Sequence, residues 1–424
     1  MNVELKKLRF SIGIALAVIL LAVVVLVWFL TRSFINIKVT PADAIVLVDG
    51  KEVKISAAGN GKASLSLGTH LFKIEADGFI GLSQNIEIKR GLSKQLVFEL
   101  AEMAKPEKIG EDGALLFKGN EFNDGYYLGN SGRTIYRTKI TAGDDKKVSI
   151  TENRAITEAR LSNIKEIIWS PTKELALFRK NNGEISLFDF MKYDFVHQTE
   201  TAWGKDIGAI AWAPDNSKIA YYYTPASGER SLIFADLKNT AQTRVANLKD
   251  DYEIENPILR WSPDSEGLIL IPQSADIAKN KVYYFSIFSR TIKPLTEDGG
   301  YLDAVFSPDS NKILYSKYQK SPETTESSTL LLMEKDGNNK SSLNLMAEIG
   351  KVTWSKDSRH LIVAAFDRTS GGDILYRYDT NSKSQAGFLL NNLGKIYIDR
   401  VILLDSDKIV LYETGGSIYA LMVE

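Results

Sequence analysis

Trp261-Ser262-Pro263-Asp264-Ser265 decides how this chain is read, because near-copies of it return every 43 to 49 residues through the second two-thirds of the sequence. The copies are Trp169-Ser170-Pro171, Trp212-Ala213-Pro214-Asp215, Phe306-Ser307-Pro308-Asp309 and Trp354-Ser355-Lys356-Asp357, with Leu403-Leu404-Asp405 as a worn member. A period near 45 residues is that of propeller blades. In the copy that surrounds Trp212, strand-like runs fall at 209–212, 218–223, 231–237 and 243–248. The motif is the turn between the first two. Proline presets φ at the second turn position, Asp or Ser caps the backbone, and the preceding Trp packs between neighbouring sheets. The turn therefore needs no ligand to explain it.

Six anchors predict six blades between residues 164 and 424, and residues 114–160 hold a further set of strand-like runs, so the expected number is seven, with six as the alternative. After Ser417 to Val423 the last blade lacks a fourth strand, and 114–117 is the run expected to close the ring.

Working outward, residues 101–112 (AEMAKPEKIGED) are polar, carry Pro106 and Gly110, and mark a linker. From residue 34 to 100 the apolar period is two, as at Ile35, Ile37 and Val39, with turns at Asp49-Gly50, Gly68 and Asp77-Gly78. A small β-sandwich is expected there. Residues 10–30 contain no charge, and 21 residues at ~1.5 Å each cover the ~30 Å of a bilayer core. Lys6, Lys7 and Arg9 crowd the leading tail, which places residues 1–9 in the cytoplasm and everything beyond the span outside. The expected class is all-β with one N-terminal transmembrane helix: tail 1–9, span 10–30, sandwich 34–100, linker 101–112, propeller 113–424.

Of 424 residues, 52 are basic and 53 acidic, so bulk charge excludes nucleic acid as a partner. Without residues 1–31, which hold three of the basic residues and one of the acidic ones, 49 and 52 remain. An exterior of that balance binds anionic lipid only through a local basic patch. The absence of cysteine excludes disulfides, thiolate metal sites and cysteine nucleophiles.

Two stretches resemble known families. Pro41-Ala42-Asp43-Ala44, Val48-Asp49-Gly50, Leu67-Gly68-Thr69-His70 and Asp77-Gly78-Phe79 are similar to the PEGA domain family, although Ala42-Asp43 stands where that family has Glu-Gly. The resemblance implies a small β-sandwich of the cell envelope or surface, often beside a membrane anchor. The Trp-Ser-Pro-Asp-Ser turns resemble those of TolB-like propellers rather than WD repeats, over residues 114–424. Both resemblances imply a bacterial source.

The chain has no Gly-x-Ser-x-Gly elbow and ends with its last blade, which excludes a prolyl-oligopeptidase-type hydrolase. His70, His197 and His360 stand alone without a second ligand or nucleophile nearby in sequence, and read as structural. The paired acids Asp250-Asp251 and Glu297-Asp298 lack the spacing of a calcium loop. No enzyme, cofactor or metal is expected. The variable second-to-third-strand loops share one rim with the starts of the inner strands, and such loops carry recognition. Glu166, Asp303, Lys351 and Arg400, each three residues before its anchor, are the candidate binding residues at the channel mouth; ordinary solvated strand starts are the simpler alternative. The function expected is that of a membrane-anchored extracytoplasmic scaffold binding an envelope or surface protein. A carbohydrate- or peptidoglycan-binding surface protein is the alternative, and a glycan-cleaving enzyme the third reading.

Overall fold

The computed structural model describes residues 20–21, 32–76, 78–79, 81–89, 95–100, 102, 106–110, 114–117, 124–129, 133–143, 147–157, 163–172, 175–189, 200–319, 327–367, 371–390, 396–404 and 407–423. Among these no helix is long and apolar enough to cross a membrane, and the expected span at 10–30 lies, but for Leu20 and Leu21, outside the described residues, as does the tail 1–9. The chain divides into two compact units, Met1–Met103 and Ala104–Glu424.

The first unit packs two sheets face to face. One has the order Asn60–Ser66, Arg32–Thr40, Gln95–Glu99, its central strand antiparallel to the first neighbour and parallel to the second. The other runs Lys51–Val53, Ile45–Val48, Gly68–Glu75, Leu82–Ile88. Arg32–Thr40 alternates exposed and buried without a break, and its inward Ile35, Ile37 and Val39 meet Val46, Val48, Phe72, Ile74 and Phe98. In the facing sheet Val46 and Val48 point inward, while Ile45 and Leu71, apolar residues that an alternating pattern would equally allow inside, are 53% and 45% exposed. Four consecutive apolar residues, Ile45-Val46-Leu47-Val48, leave a strand's inner face undetermined until its neighbours choose it.

The second unit contains, among the described residues, seven four-stranded antiparallel sheets. Six are built from consecutive strands, beginning at Ala114–Phe117, Ile164–Trp169, Ile207–Trp212, Ile258–Trp261, Tyr301–Phe306 and Val352–Trp354. The seventh takes Arg400–Leu403, Ile409–Thr414 and Ser417–Met422, and is completed by Glu107–Gly110. The closing strand thus lies inside the stretch expected to be a linker, and Ala114–Phe117 instead opens the first blade. The reason is burial. Ile109, in a run too polar to read as a strand, is 5% exposed and sits with Tyr127 and Ile140 of the first blade against Ile402, Leu411 and Ile418 of the last. Six other apolar clusters join the remaining consecutive pairs, so each sheet buries both faces against its neighbours.

The recurring anchors lie at these seams. Trp169, Trp212, Trp261, Phe306, Trp354 and Leu403 are each less than a tenth exposed, and the Trp261 indole N–H donates to the carbonyl of Ala211 in the preceding blade at 2.9 Å. In the turn that follows, the buried Ser262 hydroxyl accepts from the Gly267 N–H at 3.0 Å and donates to Asp264, whose carboxylate accepts from the Glu266 N–H at 2.9 Å. The blades at Ser307-Asp309 and Ser355-Asp357 repeat the serine-to-aspartate bond and the bond from the backbone two residues beyond.

Candidate functional site

The blades present two rims. On the lower rim the turns are bonded to one another. The Asp215 N–H donates to Ser265 Oγ at 3.1 Å, the Asp264 N–H to Ser310 Oγ at 3.0 Å, and the Asp309 N–H to Ser358 Oγ at 2.9 Å. The Lys356 N–H continues the series to an Asp407 carboxylate oxygen at 2.8 Å. The residues after the Asp, among them Ser265, Ser310 and Ser358, have φ near 60°, the left-handed value such a turn requires at that place. Lys335 adds a cross-blade tie to Asp264 at 2.6 Å, and although burial lowers its ammonium pKa, that carboxylate and Glu266 raise it on balance.

On the upper rim the second-to-third-strand loops lie against the starts of the inner strands. Asn181 donates through its backbone to Asn163 at 2.8 Å, Thr224 to Asp206 at 2.8 Å and Tyr318 to Gly300 at 2.9 Å. The inner strands that begin at Ile164, Ile207 and Tyr301 each carry a bulge just inside their start. A bulge re-aims the side chain beside it. Glu166 and Asp303 occupy such positions.

Glu166, Asp303 and Lys351 are held by partners that sequence reasoning missed. Glu166 accepts from Arg179 Nε at 2.9 Å, and the same guanidinium reaches the carbonyls of Ile207, at 2.6 Å, and Gly208 in the next blade. Asp303 accepts from Arg260 Nη2 at 2.8 Å, again across a seam. Lys351 donates to Asp373 at 2.9 Å; the Asp373 side chain is 1% exposed and also accepts from the Ile398 N–H at 2.8 Å. Arg400 is exposed at the start of the last inner strand and lies opposite Glu413 in the register. At Glu166, Asp303 and Lys351 a guanidinium or ammonium thus faces a carboxylate, an arrangement that can exchange internal partners for the polar groups of a ligand. Arg179 had one legible signal, its position directly across the strand pair from Glu166; Arg260 reaches Asp303 across a seam, and Asp373 stands on the third strand of its blade.

Other rim features were also hidden in the sequence. Tyr397 is 55% and Phe366 36% exposed, and the Tyr397 hydroxyl donates to the Gly371 carbonyl at 3.0 Å. A groove of about 700 Å³ lies beside the second blade, lined by Lys180, Glu184, Trp203 and Lys205.

Of the histidines, His70 is buried in the sandwich, its Nδ1 2.6 Å from Asp49 Oδ2 and its Nε2 3.0 Å from the Ser66 carbonyl. Burial lowers its pKa, and these two acceptors more than reverse the effect, so the net direction is upward. Both nitrogens face acceptors, which is the arrangement of an imidazolium. His360 is half-buried and bound to Asp357 of its own turn at 2.5 Å, and His197 lies outside the described residues.

No protein-family model and no curated protein matches the sequence. Solved structures do match. The propeller domain of Myceliophteria thermophila Cps50 (Swd1) is 10% identical with a TM-score of 0.50, over 76% of this chain and 100% of that one. Oligogalacturonate lyase from Vibrio parahaemolyticus is 12% identical with a TM-score of 0.50, over 76% of this chain and 91% of its own. The fold is a β-propeller. TolB from Acinetobacter baumannii is also similar, at 11% identity and a TM-score of 0.42 over 78% of this chain and 79% of that one. The lyase corrects the expectation that the chain is no enzyme. That expectation rested on a missing hydrolase elbow, on isolated histidines and on acids without metal-loop spacing, whereas the likeness to an enzyme extends over nine-tenths of the lyase's length. A propeller can therefore be the catalytic body itself, and an absent elbow excludes one hydrolase class only.

Proposed function

We propose that the chain is a membrane-anchored scaffold of a bacterial cell envelope, with residues 10–30 in the bilayer and a PEGA-like sandwich and TolB-like propeller outside. Its upper propeller rim recognises a protein partner. The observation that supports this reading is the asymmetry of the two rims: one is a series of repeated, mutually bonded turns, and the other carries loops of unequal length with individual ion pairs. Loops on a rigid frame are where recognition resides. Glu166, Asp303, Lys351 and Arg400 are the charges assigned to it. Crosslinking of the full-length chain on intact cells, followed by Asp303→Arg and Arg400→Glu, tests the assignment: the crosslinked partner should be lost. Unchanged capture removes the rim from consideration.

A second reading is favoured by Phe366 and Tyr397, which are exposed on the same rim. Aromatic faces stack on sugar rings, and one propeller of the same fold is an oligogalacturonate lyase. Retention on immobilised oligogalacturonate, abolished by Tyr397→Ala, would favour a glycan ligand, and its turnover would make the chain an enzyme.

A further inference from the structure

The sandwich has two outer faces of opposite character. On the three-stranded sheet the outward positions include Arg32, Lys38 and Lys62 against the single acid Glu99, with Phe34 and Val97 each 54% exposed. On the four-stranded sheet the outward lysines are already neutralised: Lys73 binds Glu75 at 2.6 Å and Lys89 binds Glu87 at 2.9 Å. Lys38, Lys54 and Lys62 form no ion pair among the described residues. Two of them, Lys54 and Lys62, line a groove of about 660 Å³ on this face together with Asn36, Asn60, Gln95 and Ser56, and no carboxylate among the described residues lines it. Unpaired ammonium groups beside carboxamide and hydroxyl donors suit an oxyanion of high charge density, a phosphate before a carboxylate.

Chain continuity supplies the occupant. The central strand of this sheet begins at Arg32, two residues beyond the uncharged stretch 10–30. Two residues reach ~7 Å at most, so the Arg32 end of the sheet meets the headgroup layer wherever that stretch enters a bilayer. We infer that the outer face of the three-stranded sheet is a docking surface for the phosphate headgroups of anionic lipid in the membrane that holds the chain. Phe34 and Val97 enter the headgroup layer, and Lys38, Lys54 and Lys62 take its phosphates. The inference rests on the anchor reading above. It supplies the local basic patch that a net-acidic exterior needs before it can meet anionic lipid.

The chain has no cysteine, so single cysteines can be labelled without background. A fluorophore is placed at Val97→Cys, at Phe34→Cys and, on the opposite face, at Leu71→Cys. Each full-length chain is reconstituted into vesicles of phosphatidylglycerol or of phosphatidylcholine that carry a headgroup quencher. Quenching is expected at positions 97 and 34 in phosphatidylglycerol, and not at 71. Each of Lys38→Gln, Lys54→Gln and Lys62→Gln should weaken the docking equilibrium about fivefold. Equal quenching at 97 and 71, or indifference to the lysine changes, overturns the inference while flotation of the chain with the vesicles leaves the anchor intact. A chain that fails to float refutes the anchor, and the inference with it. Inorganic phosphate that relieves quenching at 97 as effectively in phosphatidylcholine as in phosphatidylglycerol would make the groove a soluble-phosphate site and overturn the lipid assignment.

Discussion

The two rims of the propeller solve the same problem, joining one blade to the next, by different means. The lower rim uses one device repeatedly: a serine hydroxyl in the left-handed turn position accepts from the backbone of the preceding blade. At three seams the upper rim uses three different devices, an arginine over two carbonyls in one place, a guanidinium–carboxylate pair in another, a buried aspartate in a third. A device that repeats can be written into a repeat and kept in every copy. A set of singular ties leaves each loop free to vary, which is what a recognition surface needs.

Acid should have the largest effect on the lower rim's repeated turns. Asp215, Asp264, Asp309 and Asp357 sit in the repeated turns; burial raises each carboxyl pKa, but the hydroxyl, backbone and cationic partners outweigh it and hold all four below the usual 3.8. A depressed folded-state value means that the stabilisation is complete above the unfolded-state pKa and is lost as pH falls through the folded one. The denaturant midpoint of the propeller should stay level from neutrality to about pH 5 and fall below about pH 4. With all four changed to Asn, that acid limb should flatten. A limb of the same depth in the fourfold variant would place the acid sensitivity elsewhere.

The next effect belongs to the upper rim. Asp373→Ala removes an acceptor that is 1% exposed and strands both the Lys351 ammonium and the Ile398 N–H. Breaking a buried ion pair on one side costs about 3 kcal/mol, and the urea midpoint should fall accordingly. Amide exchange at Ser310 and Ser358 on the lower rim should keep its native order of protection. Loss of protection on both rims at equal rates would show that the ties are not local.

What could be read in advance follows the same division. The blades were legible because Trp261 and its counterparts are large, buried and periodic, and because the Ser-Pro-Asp turn has chemistry of its own. The closing strand was not, since Glu107–Gly110 contributes one inward apolar side chain, Ile109, to a core that others build. At the mouth, Glu166 and Asp303 could be placed by counting back from an anchor, but Arg179 and Arg260 could not. Arg179 pairs with Glu166 across its own strand pair, but its reach to Ile207 and the reach of Arg260 to Asp303 cross seams between residues 28 and 43 apart in sequence, and periodicity carries no information about which cation will cross a seam. In the sandwich, the outward Ile45 and the inward Val46 differ only in what faces them.

The smallest effect tests the lower rim's repeated bond by itself. Ser310 is 2% exposed, has φ of 63°, and accepts from the Asp264 N–H at 3.0 Å. In Ser310→Ala the Cβ remains, so the backbone cost of the left-handed position is unchanged and only the acceptor is lost, for about 1 kcal/mol. Ser310→Gly loses the same acceptor but also relieves the left-handed position, which costs a side-chain-bearing residue about 1 kcal/mol. Alanine should therefore lower the urea midpoint measurably while glycine leaves it near the parent value. Equal losses would mean that the turn does not strain Ser310, and no loss with alanine would mean that the hydroxyl does not join the blades. Among the described residues the upper rim has no serine that repeats from blade to blade in this role, so the alanine–glycine difference is expected on the lower rim.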